Sequence, residues 1–226
     1  MNLVLLGAPG SGKGTQGEVL STEYGLKIVS TGDMLRAEVR SESAVGKRIK
    51  EHMNAGELVP DSVVIDLIRN RLAHEDSGFV LDGYPRNRAQ AEALAGILSE
   101  LGKDLDEVVF LKVEEDELVK RLGYRRSCSQ CGAVYHLKAK PPAAEGLCDK
   151  CGGDLYRRED DEPDAIRRRF EVYMKETAPL VSFYEDAGLL HVIDGAAPAK
   201  EIREELRLIM SADGSRPEER GRAADR

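Results

Sequence analysis

The sequence predicts an α/β fold: a phosphate-loop core with a central parallel sheet flanked by helices, and a metal-clamped insertion late in the chain. Three observations carry this reading. The apolar run Leu3-Val4-Leu5-Leu6 leads straight into Gly7-Ala8-Pro9-Gly10-Ser11-Gly12-Lys13-Gly14-Thr15. Short aliphatic runs then alternate with helical patterns, as βαβ crossovers and a parallel sheet require. Finally, Cys128-Ser129-Gln130-Cys131 is matched by Cys148-Asp149-Lys150-Cys151, each pair followed by glycine.

The first strand and its loop organise the rest. Gly7-x4-Gly12-Lys13 between a strand and a helix is a phosphate loop. Glycines let successive N–H groups point at phosphate oxygens where a Cβ would clash. Lys13 adds a movable charge for the outer phosphates, and the helix from about Gly12 adds its positive N-terminus. Nucleoside triphosphate binding follows. Gly14 stands directly after Lys13, so the hydroxyl comes one place late, at Thr15, which argues against its coordinating Mg²⁺ directly.

Helix one ends at Tyr24, with Gly25 as its stop. Lys27-Ile28-Val29-Ser30 is a second strand, and Thr31-Gly32-Asp33-Met34-Leu35-Arg36 opens a helix with hydroxyl and carboxylate caps. Residues 41–57 read as short polar helices with little apolar periodicity, a small flap outside the core. A helix over 62–72 places Val64, Leu67, Ile68 and Leu72 on one face. Gly78-Phe79-Val80-Leu81-Asp82-Gly83-Tyr84-Pro85-Arg86 is a buried strand ending in an acid, the pattern that brings a carboxylate near Mg²⁺ beside a phosphate loop. A helix over 89–101 stops at Gly102, and 107–113 and 189–194 are further core strands.

The composition changes between the helix holding Leu118 and the one starting near Pro163. Two Cys-x2-Cys knuckles sixteen residues apart supply the four thiolates of a tetrahedral Zn²⁺ site. The segment contains Pro141-Pro142 and few core-type residues, so it needs such a staple to fold. Arg121, Arg125 and Arg126 precede it, and Arg157 and Arg158 stand at its exit, placed for guanidinium groups to fold over phosphate oxygens. Arg167 and Arg168 on the next helix read as a solvated face. The four histidines show no spacing of interest. Residues 211–226 have no aliphatic periodicity and read as a disordered tail.

The totals exclude several classes. Among 226 residues the net charge is −8, which argues against broad nucleic-acid or membrane-surface binding. A nucleotide binder with this balance must concentrate its arginines locally. No stretch is long and apolar enough to span a membrane or act as a signal peptide, so a cytoplasmic protein with reduced or metal-bound cysteines is expected.

These motifs, with Glu57-Leu58-Val59, Gln90, Arg158 and Asp160-Asp161, resemble the adenylate kinase family over roughly residues 1–210, in its large-lid bacterial form with a four-cysteine zinc site. The resemblance implies reversible transfer of a phosphoryl group from ATP to AMP, giving two ADP, with Mg²⁺ as cofactor and zinc as a structural ion. It implies a monomer that binds neither nucleic acid nor membrane. It divides the chain into a core (1–29, 60–123 and 162–210), an AMP flap (30–59) and a lid (124–161). By position, Gly10, Ser11, Gly12, Lys13, Gly14 and Thr15 would cradle the ATP phosphates. Arg121, Arg125, Val134 and Tyr135 would cover ATP, and the backbone near Ala197 would touch its adenine. Thr31, Arg36, the Glu57–Val59 backbone, Gly83, Tyr84, Pro85, Arg86 and Gln90 would hold AMP. Arg158 and Arg169 would reach AMP and the transferring group. Asp82 would act on Mg²⁺ through water, and Cys128, Cys131, Cys148 and Cys151 would hold zinc. Tyr84 stands where Phe is more usual, and Gly123-Tyr124 precedes Arg125 in an unexpected order. A different small phosphate-loop kinase, or a zinc-ribbon nucleic-acid binder fused to an ATPase, are the competing readings. The second would need a basic aromatic surface, and only 5% of the residues are aromatic.

Overall fold

The computed structural model describes residues 1–212. Strand β1 (Asn2–Leu6) enters the phosphate loop and α1 (Lys13–Tyr24), which ends on Gly25 in the left-handed region, φ 71°. The chain continues through β2 (Lys27–Ser30), α2 (Thr31–Arg40), α3 (Ala44–Asn54), α4 (Asp61–Leu72) and β3 (Phe79–Asp82). Helix α5 (Arg88–Glu100), β4 (Glu107–Lys112) and α6 (Glu115–Gly123) complete the first half. A small antiparallel sheet of β5 (Arg125–Cys128), β6 (Val134–His136) and β7 (Leu155–Tyr156), in the order β6-β5-β7, forms the insertion. Helix α7 (Pro163–Val172) runs into a π turn over Tyr173–Thr177, followed by α8 (Leu180–Asp186) and β8 (Leu190–Asp194).

The main sheet is parallel throughout, in the order β2-β3-β1-β4-β8. The chain moves to one side of β1 for β2 and β3, then to the other for β4 and β8. That reversal opens a crevice at the carboxyl ends of the strands around β1, where ligands bind in such sheets. The register puts Asp82 opposite both Leu5 and Ser30, so the phosphate loop, Asp82 and Thr31 leave the sheet at one end. Leu3, Val4, Leu5 and Leu6 are all buried because helices cover both faces. Phe79, Leu81, Ile68, Leu72, Leu94 and Ile97 fill one face with almost no exposed area. Aliphatic side chains dominate this core, as the scarcity of aromatic residues requires.

The reading of 41–57 needs correction. Helix α3 is one continuous helix capped by Ser43, whose Oγ accepts from Gly46 N at 2.9 Å. Ile49 on α3 is buried in the main core with Leu35 and Val59. Its apolar contacts come from Ile49 and Met53, one turn apart, and Gly46 packs by close approach, where a Cβ would meet the Glu38 carbonyl oxygen at 2.3 Å. A glycine contact leaves no apolar mark in the sequence.

The described chain forms two compact units, the second beginning at Ala197. That unit holds α9 (Ala199–Ala212), with Ile202, Leu206 and Ile209 at helical spacing. The tail expected from Ser211 therefore begins two residues too early. Its remainder, 213–226, lies outside the described residues. Among the described residues no helix is long and apolar enough to cross a membrane.

Candidate active site

The phosphate loop is shaped by three glycines with positive φ: Gly7 at 147°, Gly10 at 89° and Gly12 at 100°. At Gly7 the space is also closed, since a Cβ there would lie 2.5 Å from Ser11 Oγ and 2.9 Å from the Leu111 carbonyl oxygen. Ser11 Oγ is buried and has no partner among the described residues, which fits a hydroxyl aimed at a phosphate oxygen. Lys13 Nζ donates to the carbonyl oxygens of Gly7 at 2.7 Å and Ala8 at 3.0 Å, so the ammonium is held across the mouth of its own loop. Gly12 caps α1, and no acidic residue in the first turn competes for the positive helix end.

The second wall comes from β2, β3 and the turn after Asp82. Asp82 borders the loop, with Oδ2 3.5 Å from where a Cβ on Gly14 would stand. Thr31 Oγ1 donates to the Gly83 carbonyl oxygen at 2.8 Å, tying α2 to this turn. Gly83 itself has φ 80°, and a Cβ there would crowd that hydroxyl at 2.9 Å. The Tyr84–Pro85 peptide is cis, and the buried Tyr84 hydroxyl donates to the Gln90 carbonyl oxygen at 3.0 Å. The unusual Tyr is thereby satisfied. Arg86 Nε donates back to the Gly83 carbonyl oxygen at 2.9 Å. Arg36 pairs with Asp33 at 2.6 Å on the exposed rim. The Glu57–Pro60 strap forms one side of a cleft of about 580 Å³ whose other side includes Arg168 and Glu171.

Gln90 is buried with both ends of its amide engaged. Its Nε2 donates to Asp61 Oδ1 at 2.6 Å, and its Oε1 accepts from Arg86 N at 2.8 Å. One N–H and one lone pair of the amide remain.

The insertion and the helices on either side of it supply the remaining arginines. Arg125 forms a forked pair with the fully buried Asp161, with Nε to Oδ2 at 2.7 Å. Arg169 Nη1 reaches Asp160 Oδ2 at 3.0 Å and Asp161 Oδ1 at 3.1 Å, and Arg158 Nε donates to Ser127 Oγ at 2.6 Å. Arg121 Nη1 donates to the Gly195 carbonyl oxygen at 2.9 Å, beside the end of β8. Arg167 is exposed, as a solvated face should be, whereas Arg168 lies in the cleft wall with Nη2 3.8 Å from Glu57. The Gly123-Tyr124 order also resolves. Gly123 ends α6, Tyr124 caps it, and the Tyr124 ring lies beneath Lys138 Nζ at 4.2 Å and 5.7 Å from the His136 ring. Arg125 is thereby the first residue of β5 and turns toward Asp161.

These groups form one electrostatic system. Burial pushes Lys13 down to about 8, with Asp82 opposing and Arg86, Arg169 and Arg125 adding to the depression. Burial likewise lowers Arg86 to about 10, with Arg169 adding, and Arg158 to about 10, with Arg125 adding. Burial lowers Arg169 as well, against the pull of Asp160. Burial alone would also lower Arg125, but Asp161 outweighs it and holds that guanidinium above its ordinary value. Three buried arginines and a lysine that disfavour their own charges make a site built for a polyanion. An acidic chain has gathered its positive charge here.

In the insertion the four cysteine Sγ atoms lie within 4.8 Å of one another. A Zn–S distance of about 2.3 Å spaces the sulfurs of a tetrahedron about 3.8 Å apart, so this donor set fits zinc. Each knuckle turns back on itself, Gly132 N donating to the Cys128 carbonyl oxygen at 3.2 Å and Gly152 N to that of Cys148 at 2.8 Å. The Tyr135 side chain packs inside the insertion. It is buried, its hydroxyl 3.4 Å from Cys148 Sγ and accepting from Asp149 N at 2.8 Å. The neighbouring Val134 side chain is exposed. The insertion reaches α1 through Lys140 and Lys150, whose Nζ atoms lie 3.1 and 3.7 Å from Glu18. Ala197 opens the second unit, in the turn before α9.

Residues 5–189 match the family model for adenylate kinase. The chain belongs to the adenylate kinase family. It is 49% identical over 212 residues to an adenylate kinase of Archaeoglobus fulgidus, covering 93% of this chain and 98% of that one. It is 50% identical to one of Bacillus licheniformis over the same length and shares. Against one of Geobacter sulfurreducens it is 46% identical over 217 residues, 95% of this chain and 100% of the other. Membership makes the chain a nucleoside monophosphate kinase, moving a phosphoryl group between ATP and AMP.

Several residues that support this adenylate kinase site carry no sequence signal. Ser127 holds Arg158, Asp61 holds Gln90, and Thr177 Oγ1 donates to the Arg86 carbonyl oxygen at 2.6 Å across 91 positions. No local spacing announces a partner so distant in the chain.

Proposed function

We propose that the chain performs the reversible reaction of Mg·ATP with AMP, giving two ADP, with the labour divided as follows. The glycine-shaped loop from Gly10 to Thr15 and Lys13 hold the β- and γ-phosphates of ATP. Arg121 at the end of α6 and Arg125 in the lid close over them, with Val134 and Tyr135. Thr31, Arg36, the strap from Glu57 through Leu58 to Val59, the Gly83–Arg86 turn and Gln90 hold AMP. Arg158 and Arg169 span both nucleotides. The observation that carries this reading is the gathering of Asp82, Arg86, Arg125 and Arg169 around Lys13, beyond the carboxyl ends of β1 and β3.

In the reaction an oxygen of the AMP phosphate attacks the γ-phosphorus. The bond from that phosphorus to the β–γ bridging oxygen breaks, and ADP leaves as a second ADP forms. No protein atom becomes bonded, so the rate comes from positioning and from charges placed where the transferring group needs them. The lid excludes water, which would otherwise compete with AMP for the phosphoryl group. Magnesium, bound with ATP, supplies further neutralisation of phosphate charge, and Asp82 is the carboxylate beside the loop available to reach it through water. Zinc in the four-cysteine site is structural, because four thiolates leave no open position. Such thiolates must stay reduced, which suits a cytoplasmic setting. The binding groups all come from one chain, and we take the enzyme to act as a monomer.

The base preference is testable at Gln90. Gln90→Leu removes the amide's free N–H and lone pair. It also strips Asp61 and Arg86 N of partners. The KM for AMP is expected to rise about tenfold, the equivalent of one good hydrogen bond, with a smaller change in the KM for ATP. Varying each substrate in turn checks this. Equal changes in both would remove Gln90 from the AMP site.

A further inference from the structure

We infer that the backbone of Arg86 is set by a part-buried hydrogen-bond chain that runs from Asp61, at the first turn of α4, to Thr177, in the π turn after α7. Thr177 and Asp61 are thus positioning residues for phosphoryl transfer. The inference rests on the reading of Arg86 as a group that contacts the phosphates.

Arg86 is held at three points. Its N–H donates to Gln90 Oε1 at 2.8 Å, its carbonyl oxygen accepts from Thr177 Oγ1 at 2.6 Å, and its Nε donates to the Gly83 carbonyl oxygen at 2.9 Å. The first two fix the peptide planes on both sides of its Cα. The Gln90 bond is itself anchored, since Gln90 Nε2 donates to Asp61 Oδ1 at 2.6 Å. Asn87 Nδ2 also donates to Asp61, at 3.0 and 3.1 Å, while Asn87 Oδ1 accepts from Gln90 N at 2.9 Å and caps α5. One carboxylate therefore aligns two amides, and one of them aligns Arg86.

The other end depends on the π turn. Ala178 N donates to the Tyr173 carbonyl oxygen at 2.9 Å, one residue wider than an α-helical bond. The widened turn carries Thr177 at its inner, buried side, within reach of Arg86. A π turn costs hydrogen-bond geometry relative to an α-helix and is found most often at functional sites. Arg86 needs this support because its guanidinium stands among Arg169, Asp82 and Arg36, where crowded charges push side chains apart. A misplacement of about 1 Å at the reacting group costs about 10²-fold in rate.

A mutant cycle tests the inference. Thr177→Val keeps the volume and removes the donor. It is expected to lower kcat about tenfold, leaving the KM for ATP within about twofold, and Thr177→Ser should recover kcat to within about threefold. In an Arg86→Ala background, Thr177→Val should lower kcat no further, because Thr177 acts through Arg86. Should Thr177→Val fail to fold, Thr177→Ala removes the same donor, with the same expected loss and the same silence in the Arg86→Ala background. A fall in melting temperature with unchanged kcat, or multiplicative losses in the double variant, would overturn the inference. Near-normal turnover of Arg86→Ala alone would instead remove Arg86 from the reaction, and this inference with it.

Discussion

Lys13→Met is expected to abolish most turnover, with a fall in kcat of about 10²–10³ or more, while nucleotide binding survives far better. The loop's N–H groups and the α1 terminus remain in the variant, and they supply ground-state binding. What is lost is the one charge in the loop that can follow the transferring phosphoryl group, and losing a single well-placed donor of this kind costs that much. No other lysine lies in the loop. The same substitution should stabilise the protein measured without nucleotide. Burial lowers Lys13 from 10.5 to about 8, so the folded state disfavours its charge. Below pH 8 that cost is present in full, up to about 3 kcal/mol, and it fades as pH rises from 8 toward 10.5, where the unfolded chain holds the proton more tightly. Wild-type stability should therefore climb with pH across that window, and the Met variant should lack this climb. Bound phosphates favour the ammonium, so ATP binding at pH 8 should take up a fraction of a proton that Lys13→Met does not. Calorimetry in buffers of different ionisation heat measures that uptake. Near-normal kcat in the variant, or identical proton uptake, would contradict the role given to Lys13.

Cys148→Ser/Cys151→Ser is expected to lose zinc and to lower the melting temperature by several degrees or more, at about 4 °C or less per kcal/mol for a chain of this size. The insertion has almost no core besides its metal ligands. Cys128, Tyr135 and Cys148 are its buried cluster, with Ala133 and Leu155 packed alongside. Its folding free energy must come largely from the ion. The contacts of Lys140 and Lys150 with Glu18 are exposed and worth about 1 kcal/mol or less, too little to replace it. The insertion must still fold to seat Arg125 on Asp161 and Arg158 on Ser127. At temperatures where the variant stays folded, kcat should fall only modestly. Metal analysis, a thermal melt and a low-temperature rate on one preparation decide this. A rate that collapses with the fold intact, and returns with added zinc, would make the metal catalytic.

The sheet and the ligand loops were legible because their signals are local. Leu3–Leu6 and Phe79–Leu81 are runs of aliphatic residues, and the glycines of the loop and the cysteine pairs are fixed spacings. Helix α3 was read poorly because part of its packing uses Gly46, which leaves no apolar mark. That the Tyr135 hydroxyl borders Cys148 Sγ and accepts from Asp149 N was not legible either, since no spacing announces that contact. The arginines could be named by position, but their pairings could not. Asp161 with Arg125, Ser127 with Arg158 and Thr177 with Arg86 span 36, 31 and 91 positions, and only the folded chain brings them together.

The most direct test of the account is the product balance for Mg·ATP mixed in turn with AMP, GMP, CMP, UMP and buffer alone. The account predicts rapid conversion with AMP, two ADP formed for each AMP consumed, and little free phosphate. Turnover with the other monophosphates should be far slower, and ATP alone should be nearly stable. Comparable rates with another monophosphate, or free phosphate released as fast as ADP, would contradict it.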